Sequence, residues 1–336
     1  MPEVLDTLAR PMRDLRISVT DRCNFRCTYC MPKGIFGRDY EFLPRDQLLS
    51  FEEITRVAAA AAELGINKIR LTGGEPLMRA GLGDLIAMLS AIDGVDTVTM
   101  TTNASLLARK ATELAAAGLT RVSVSLDSID DATFRAMNDV DFGVAGVLEG
   151  IEAAAAAGLG PIKINAVVKR GVNDSGVPAM ADHFRGTGHI VRFIEYMDVG
   201  TTNGWRLDDV VPAEEIRAAI HARNPLEPVD PAYRGEVASR FRYLDGSGEI
   251  GIIASVTAPF CGDCTRIRLS AEGSIYTCLF AVGGTDLRAA IRAGATDTDL
   301  THQLSTIWTS RTDRYSEIRS EGTDGWERIE MSYIGG

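Results

Sequence analysis

Over its first 200 residues the chain alternates short apolar strands with helix-forming stretches, and few folds accept that grammar. The run LRISVT after Asp14 alternates and reads as a strand. Phe51–Leu64 reads as a helix, and Lys68–Leu71 as a short apolar strand. Leu82–Ile92 is helical and Thr97–Thr101 a strand. Ser105–Ala117 is a helix stopped by Gly118, and Arg121–Leu126 a strand. Val144–Ala157 is a helix stopped by Gly158, Ile162–Val168 a strand, Val177–Phe184 a helix and Ile190–Ile194 a strand. Six such units imply a parallel sheet with outer helices, which right-handed crossovers roll toward a barrel. Functional loops in such folds lie at the C-terminal ends of the strands. The unusual residues fall there: a cysteine loop, Thr72-Gly73-Gly74-Glu75-Pro76, Thr101-Thr102-Asn103, Ser125-Leu126-Asp127 and Glu195-Tyr196-Met197.

From about Gly200 the pattern changes. Pro212–His221 is helical, and Asn224–Pro231 is proline-rich and loop-like. Val237–Tyr243, Glu249–Ala254, Thr265–Leu269 and Ser274–Thr277 read as short strands, with a hairpin turn at Asp245-Gly246. Asp286–Arg292 and Asp299–Thr309 are helical. The 336 residues suit two domains, or one barrel with an extension. The expected fold class is α/β: a partial (βα)6 TIM-like barrel over 1–200, with a smaller C-terminal α+β domain over 201–336.

No apolar run is long enough to span a membrane, and MPEVLDTLAR does not read as a secretory signal. The expected location is cytoplasmic. A formal charge of −11 argues against nonspecific nucleic-acid binding, but not against a small anion held in a local basic pocket.

The six cysteines fall in two groups of three, Cys23, Cys27, Cys30 and Cys261, Cys264, Cys278, with 230 residues between them. Disulfides do not suit a cytosolic chain with odd groups. Cys23-x3-Cys27-x2-Cys30 lets one loop wrap three corners of an iron–sulfur cubane. Three thiolates leave one iron of four open to a chelating ligand. Cys261-x2-Cys264-x13-Cys278 brackets a hairpin and offers a second such set. Zinc is the alternative at both sites, with a fourth ligand from elsewhere; Asp263 is a candidate at the second.

LRISVTDR followed by CNFRCTYC resembles the signature of radical S-adenosylmethionine (SAM) enzymes. That resemblance implies that the open iron binds the amino and carboxylate groups of SAM, and that an electron then yields a 5′-deoxyadenosyl radical. It places Tyr29 near the adenine and puts Gly74, Glu75, Ser125 and Met197 in the SAM pocket. By themselves the two glycines allow close backbone approach to a ligand, and Glu75 can pair with an ammonium group.

Both cysteine groups in one chain resemble the GTP 3′,8-cyclase family, the molybdenum cofactor biosynthesis protein A group. KIRLTGGEPL, TTNASLL, VSVSLDSID, IKINAVVKRGVND, VRFIEYMDVG, APFCGDCTRIRLSAEG and MSYIGG carry the likeness along most of the chain. Ala104 stands where the family commonly has glycine, a departure expected to cost little because alanine is small. The resemblance implies two [4Fe-4S] clusters, SAM, and GTP as substrate. The radical would abstract the ribose 3′-hydrogen, and C3′ would attack C8 to give 3′,8-cyclo-7,8-dihydro-GTP. It also implies a reductant protein such as a flavodoxin or ferredoxin and a downstream cyclic pyranopterin monophosphate synthase, and it allows a homodimer. It implies neither a nucleic-acid nor a membrane partner.

An acidic chain must supply cations locally for a triphosphate. Arg16, Arg70, Lys163, Arg192, Arg266 and Arg268 stand at strands or beside the second cysteine group. Arg266 and Arg268, at i and i+2 of a strand, share one face. Mapped onto the family, these six, Thr101 and the Gly335-Gly336 tail contact the nucleotide, with Arg266 and Arg268 also counted as catalytic. No P-loop motif occurs, Gly81-x-Gly83 is not a dinucleotide fingerprint, and the four histidines form no ligand set. Two rivals remain. One is another auxiliary-cluster radical SAM enzyme acting on a peptide; the other is an electron carrier or zinc-stapled binding module.

Overall fold

The computed structural model describes residues 3–319 and 327–335. Twelve strands are present among them: β1 (Asp14–Ser18), β2 (Lys68–Thr72), β3 (Thr97–Thr102), β4 (Arg121–Ser125), β5 (Lys163–Val168), β6 (Ile190–Glu195), β7 (Leu226–Val229), β8 (Ser239–Tyr243), β9 (Glu249–Ile253), β10 (Arg266–Leu269), β11 (Ser274–Tyr276) and β12 (Thr285–Asp286). They form one sheet in the order β12-β11-β10-β1-β2-β3-β4-β5-β6-β9-β8-β7. β1 to β6 are parallel neighbours, as the β/α alternation requires.

The segment after residue 200 is built into this same sheet at both edges. β10 adds parallel to β1, and β9 adds parallel to β6. The remaining pairs, β10–β11, β11–β12, β9–β8 and β8–β7, are antiparallel. Asn224–Pro231, expected as loop, contains β7. A proline is tolerated there because β7 is an edge strand and Pro228 owes no hydrogen bond to an outer neighbour. Three helices were not expected: Asp131–Asn138, Tyr315–Ile318 and Met331–Ile334.

Strand period two sorts the side chains. Leu15, Ile17, Ile69, Leu71, Val98, Met100, Val122, Val124, Ile164 and Val191 are buried in the apolar core. The residues between them, including Arg16, Arg70, Ser123, Asn165 and Arg192, face a cavity instead. Each fully buried aliphatic side chain contributes about 1.5–3 kcal/mol. The helix Phe51–Glu63 shows how the outer layer is set. A capping box starts it, the Glu53 amide donating to Ser50 Oγ and the Ser50 amide to Glu53 Oε2. Ile54, Val57, Ala58 and Ala61 then form its buried stripe.

Candidate active site

The strand ends and the C-terminal segment enclose a cavity of about 290 Å³. All six cysteines line it, and all six are free thiols. Tyr29, Gly74, Ser125, Met197, Arg16, Arg70, Thr101, Arg192, Arg266 and Arg268 line it too. Residues far apart in the chain are therefore brought together as the motifs imply.

The first cysteine loop is hung on the glycine turn after β2. The Gly74 amide donates to the Thr20 carbonyl and the Glu75 amide to the Arg22 carbonyl, both at 2.8 Å. A Cβ on Gly74 would lie 2.3 Å from the Arg22 carbonyl oxygen, and one on Gly73 2.4 Å from that of Thr20. Only glycine permits that crossing. Cys23 Sγ accepts the Phe25 amide at 3.3 Å and faces the Asn103 side-chain amide at 3.8 Å. The Tyr29 hydroxyl donates to Asp127 Oδ2 at 2.8 Å, and the Val167 amide donates to Oδ1 at 2.9 Å. Asp127 also lines the cavity. Its position in Ser125-Leu126-Asp127 at a strand end was the available signal, although it was not singled out.

Glu75 does not line the cavity. Its Oε1 accepts the Leu77 amide (3.0 Å) and the Thr102 hydroxyl (2.8 Å), and its Oε2 accepts the Asn103 amide (2.7 Å). Those bonds tie the turn after β2 to the end of β3, so the carboxylate acts here as a brace. Burial raises its pKa to about 7. Ala104 adopts φ +63°. Its cost comes from the left-handed backbone, which brings Cβ close to the following carbonyl oxygen, about 1 kcal/mol for an alanine.

Around the second triad the wall is cationic. Register places Arg16 beside Arg70 on one side and Arg268 on the other, a row of three arginines across β2, β1 and β10. Asp14, paired with Lys68 at 3.0 Å, lies one row below with Arg266. Like charges directly opposite one another weaken a sheet. Burial, and then Arg268, push the Arg16 guanidinium well below its ordinary pKa. Such a row is suited to receiving an anion. Arg70 Nη1 also donates to Thr101 Oγ1 (3.2 Å) and Ser123 Oγ (3.1 Å). Lys163 does not line the cavity. It shares the face of Asn165, two residues nearer the start of β5, and burial with Arg192 and Arg121 lowers its pKa to about 7.

The C-terminal tail is anchored. Arg268 donates to the Gly335 carbonyl, and Met331 and Ser332 line the cavity. Gly335 has φ +73°, and a Cβ there would come within 1.9 Å of Thr72 Oγ1. Gly336 lies outside the described residues.

The thiols fit iron–sulfur clusters. Three from each group face one cavity, and Cys264 Sγ accepts from Arg266 Nη2 at 3.3 Å. Burial would raise the Cys264 pKa, but Arg266 and Arg311 outweigh it and bring it down to about 6, toward the thiolate that binds iron. Arg311 also lines the cavity, with a buried Nε that has no hydrogen-bond partner among the described residues. Zinc would need its ligands drawn to about 2.3 Å of one ion. Among the described residues no three His, Cys, Asp or Glu groups are so gathered.

Residues 17–184 match the family profile described as Radical SAM superfamily, and residues 189–317 match Molybdenum Cofactor Synthesis C. A GTP 3′,8-cyclase of Acidothermus cellulolyticus is 54% identical, with 99% of each chain covered. A GTP 3′,8-cyclase of Staphylococcus haemolyticus is 48% identical, again over 99% of each. Among solved structures, Streptococcus suis SuiB bound to S-adenosylmethionine matches with a TM-score of 0.61 at 15% identity, covering 92% of this chain and 68% of that one. The same protein bound to precursor peptide SuiA gives 0.63 at 14%, covering 92% and 67%. These two structures speak for the fold alone. With the cyclases matched along nearly its whole length, the chain belongs to the GTP 3′,8-cyclase family of radical SAM proteins.

Proposed function

We propose that this chain converts GTP to 3′,8-cyclo-7,8-dihydro-GTP, the first step of molybdenum cofactor biosynthesis. One observation carries the reading: both cysteine triads and the Arg70–Arg16–Arg268 row open on the same cavity. The cofactors are SAM and two [4Fe-4S] clusters, held by Cys23, Cys27, Cys30 and by Cys261, Cys264, Cys278. Once bound and reduced, the first cluster and SAM supply a hydrogen-abstracting carbon radical.

The protein's part is placement. Tyr29, fixed by Asp127, with Gly74, Ser125 and Met197, forms the SAM side. Glu75 acts there indirectly, through the turn it braces. Arg16, Arg70, Thr101, Arg192, Arg266 and Arg268 form the nucleotide side, with Lys163 behind them. In this reading 1–200 is the radical SAM partial barrel, which also lends Arg16, Arg70, Thr101, Lys163 and Arg192 to the nucleotide side, and 201–336 adds the second cluster with Arg266 and Arg268. The wall between holds ribose and radical carbon together and keeps water away. Gly335 closes the nucleotide side, next to Thr72. A flavodoxin- or ferredoxin-like donor, a cyclic pyranopterin monophosphate synthase taking the product, a homodimer and a cytoplasmic setting complete the proposal. No helix among the described residues is long and apolar enough to cross a membrane.

Anaerobic reconstitution with iron and sulfide, followed by SAM, reductant and GTP, tests it. The expected result is 5′-deoxyadenosine formation that depends on GTP, together with the cyclised nucleotide. SAM cleavage with GTP untouched overturns the substrate assignment and favours a peptide substrate.

A further inference from the structure

One buried ion cluster lies behind the second triad, and of its members only Arg311 reaches the cavity. Asp6 and Arg311 are 305 residues apart in sequence, yet they meet in the interior, where Asp6 also pairs with Arg10. The side chains of Asp6 and Arg10 are 0% exposed and that of Arg311 is 1%. Arg10 Nε donates to Asp6 Oδ2 at 2.6 Å, and Arg311 Nη1 reaches the same oxygen at 3.3 Å. The other Asp6 oxygen accepts the Leu8 and Arg10 amides, each at 2.9 Å.

What the two guanidinium groups do next is directional. Arg10 Nη1 donates to the Cys261 carbonyl (2.8 Å) and the Asp313 carbonyl (2.7 Å). Arg311 Nη1 donates to the Cys264 carbonyl at 2.8 Å. The Asp313 carboxylate accepts the hydroxyl of Thr277, the neighbour of Cys278. The cluster thus touches the backbone of two cysteines of the second triad and the residue beside the third. Sealing three charges from water is costly, and apolar side chains of similar volume often hold a fold as well. Stability alone does not account for the arrangement. Arg10 Nη2 is buried with no hydrogen-bond partner among the described residues, whereas Arg311 Nε lies 3.5 Å from Asp313 Oδ2, so one donor remains beside this triad.

We propose that Asp6, Arg10 and Arg311 are positioning residues for the second cluster: they space Cys261, Cys264 and Cys278 and set two positive charges behind them. The inference rests on the reading that this triad holds a cluster. Charge and hydrogen bonds near cluster sulfurs set the reduction potential. The two guanidinium groups therefore raise that of the second cluster and leave the first unchanged.

The test uses the reconstituted full-length enzyme with Asp6→Asn, which frees both arginines, and Arg10→Lys, which keeps the charge but loses the fork. Iron is counted, and both clusters are followed by electron paramagnetic resonance through a redox titration. Wild type should load about eight irons. Asp6→Asn should lose about half of them while keeping the SAM-sensitive signal of the first cluster. Arg10→Lys should load fully, with a shifted second-cluster potential. Thr277→Val cuts only the link beside Cys278 and should show a smaller shift; it decides the matter if the charged variants do not fold. Full loading with unchanged potentials overturns the inference, as does equal loss of both clusters. A wild type that loads only about four irons overturns the two-cluster reading itself.

Discussion

Carboxylates dominate the surroundings of Cys23, Cys27 and Cys30, whereas guanidinium groups dominate those of Cys261, Cys264 and Cys278. Burial, with Glu75, raises the Cys23 thiol to about 11, and burial with Asp127 raises Cys27 further. On the other side Arg266 and Arg311 bring Cys264 down to about 6. Burial and Asp313 still hold Cys278 up at about 12, so the second side is cationic without being uniform. Negative surroundings disfavour an added electron and positive ones favour it. The first triad is thus suited to a strongly reducing cluster, and the second to gripping an anionic ligand.

The largest effect that could break this contrast comes from the cysteines. Cys27→Ser should abolish 5′-deoxyadenosine formation with or without GTP. Cys264→Ser should lose the cyclised product yet keep the SAM-sensitive resonance signal of the first cluster. Loss of that signal in both variants would show that the two sides do not divide the work.

Next are the arginines. Arg16→Met should weaken GTP binding by about tenfold to a hundredfold, the worth of a charged hydrogen bond. The same change should raise the melting temperature of the ligand-free protein, because it relieves repulsion from Arg70 and Arg268. Calorimetry with GTP and a thermal melt check the two halves. Arg268→Met should weaken binding similarly and also release the Gly335 carbonyl.

A smaller test concerns Glu75. Its folded pKa of about 7 lies above the ordinary 4.5, so the folded state holds a proton that the unfolded state has released between those values. The contribution of Glu75 to the stability of the metal-free chain should be greatest below pH 4.5 and be lost by about pH 7, a fall of roughly 3 kcal/mol. Glu75→Gln should remove that share of the slope in denaturant melts at several pH values and leave the share of Asp127, whose burial raises its pKa to about 6. Smallest is Ala104→Gly, which relaxes a left-handed residue beside the first triad and should stabilise by about 1 kcal/mol.

Local signals were legible wherever the chain reports on itself. Val177–Phe184 was placed by its own pattern, and the shared face of Arg266 and Arg268 follows from strand period alone. The alignment of Arg16 between Arg70 and Arg268 was not legible, because cross-strand register depends on distant partners. The helix Asp131–Asn138 carried a signal that passed unread: Asp130 caps it by accepting the Thr133 amide. The charge of Glu75 was legible as a possible ammonium partner, but the three donors that brace it were not. Asp6, Arg10 and Arg311 gave no signal at all; only the packed interior makes them neighbours.

The placement of β9 and β10 has a consequence for synthesis. Residues 1–200 contain all of β1 to β6, but the outer edges of β1 and β6 are each covered by a strand made later. Until about residue 253 has left the ribosome two parallel edges stand bare, and until about residue 269 one still does, the kind of surface that recruits other chains. A fragment cut at 200 would meet the same hazard permanently. The enzyme's last-made strands therefore act as its own edge guards, and the second cysteine group becomes available only as the aggregation-prone stage ends.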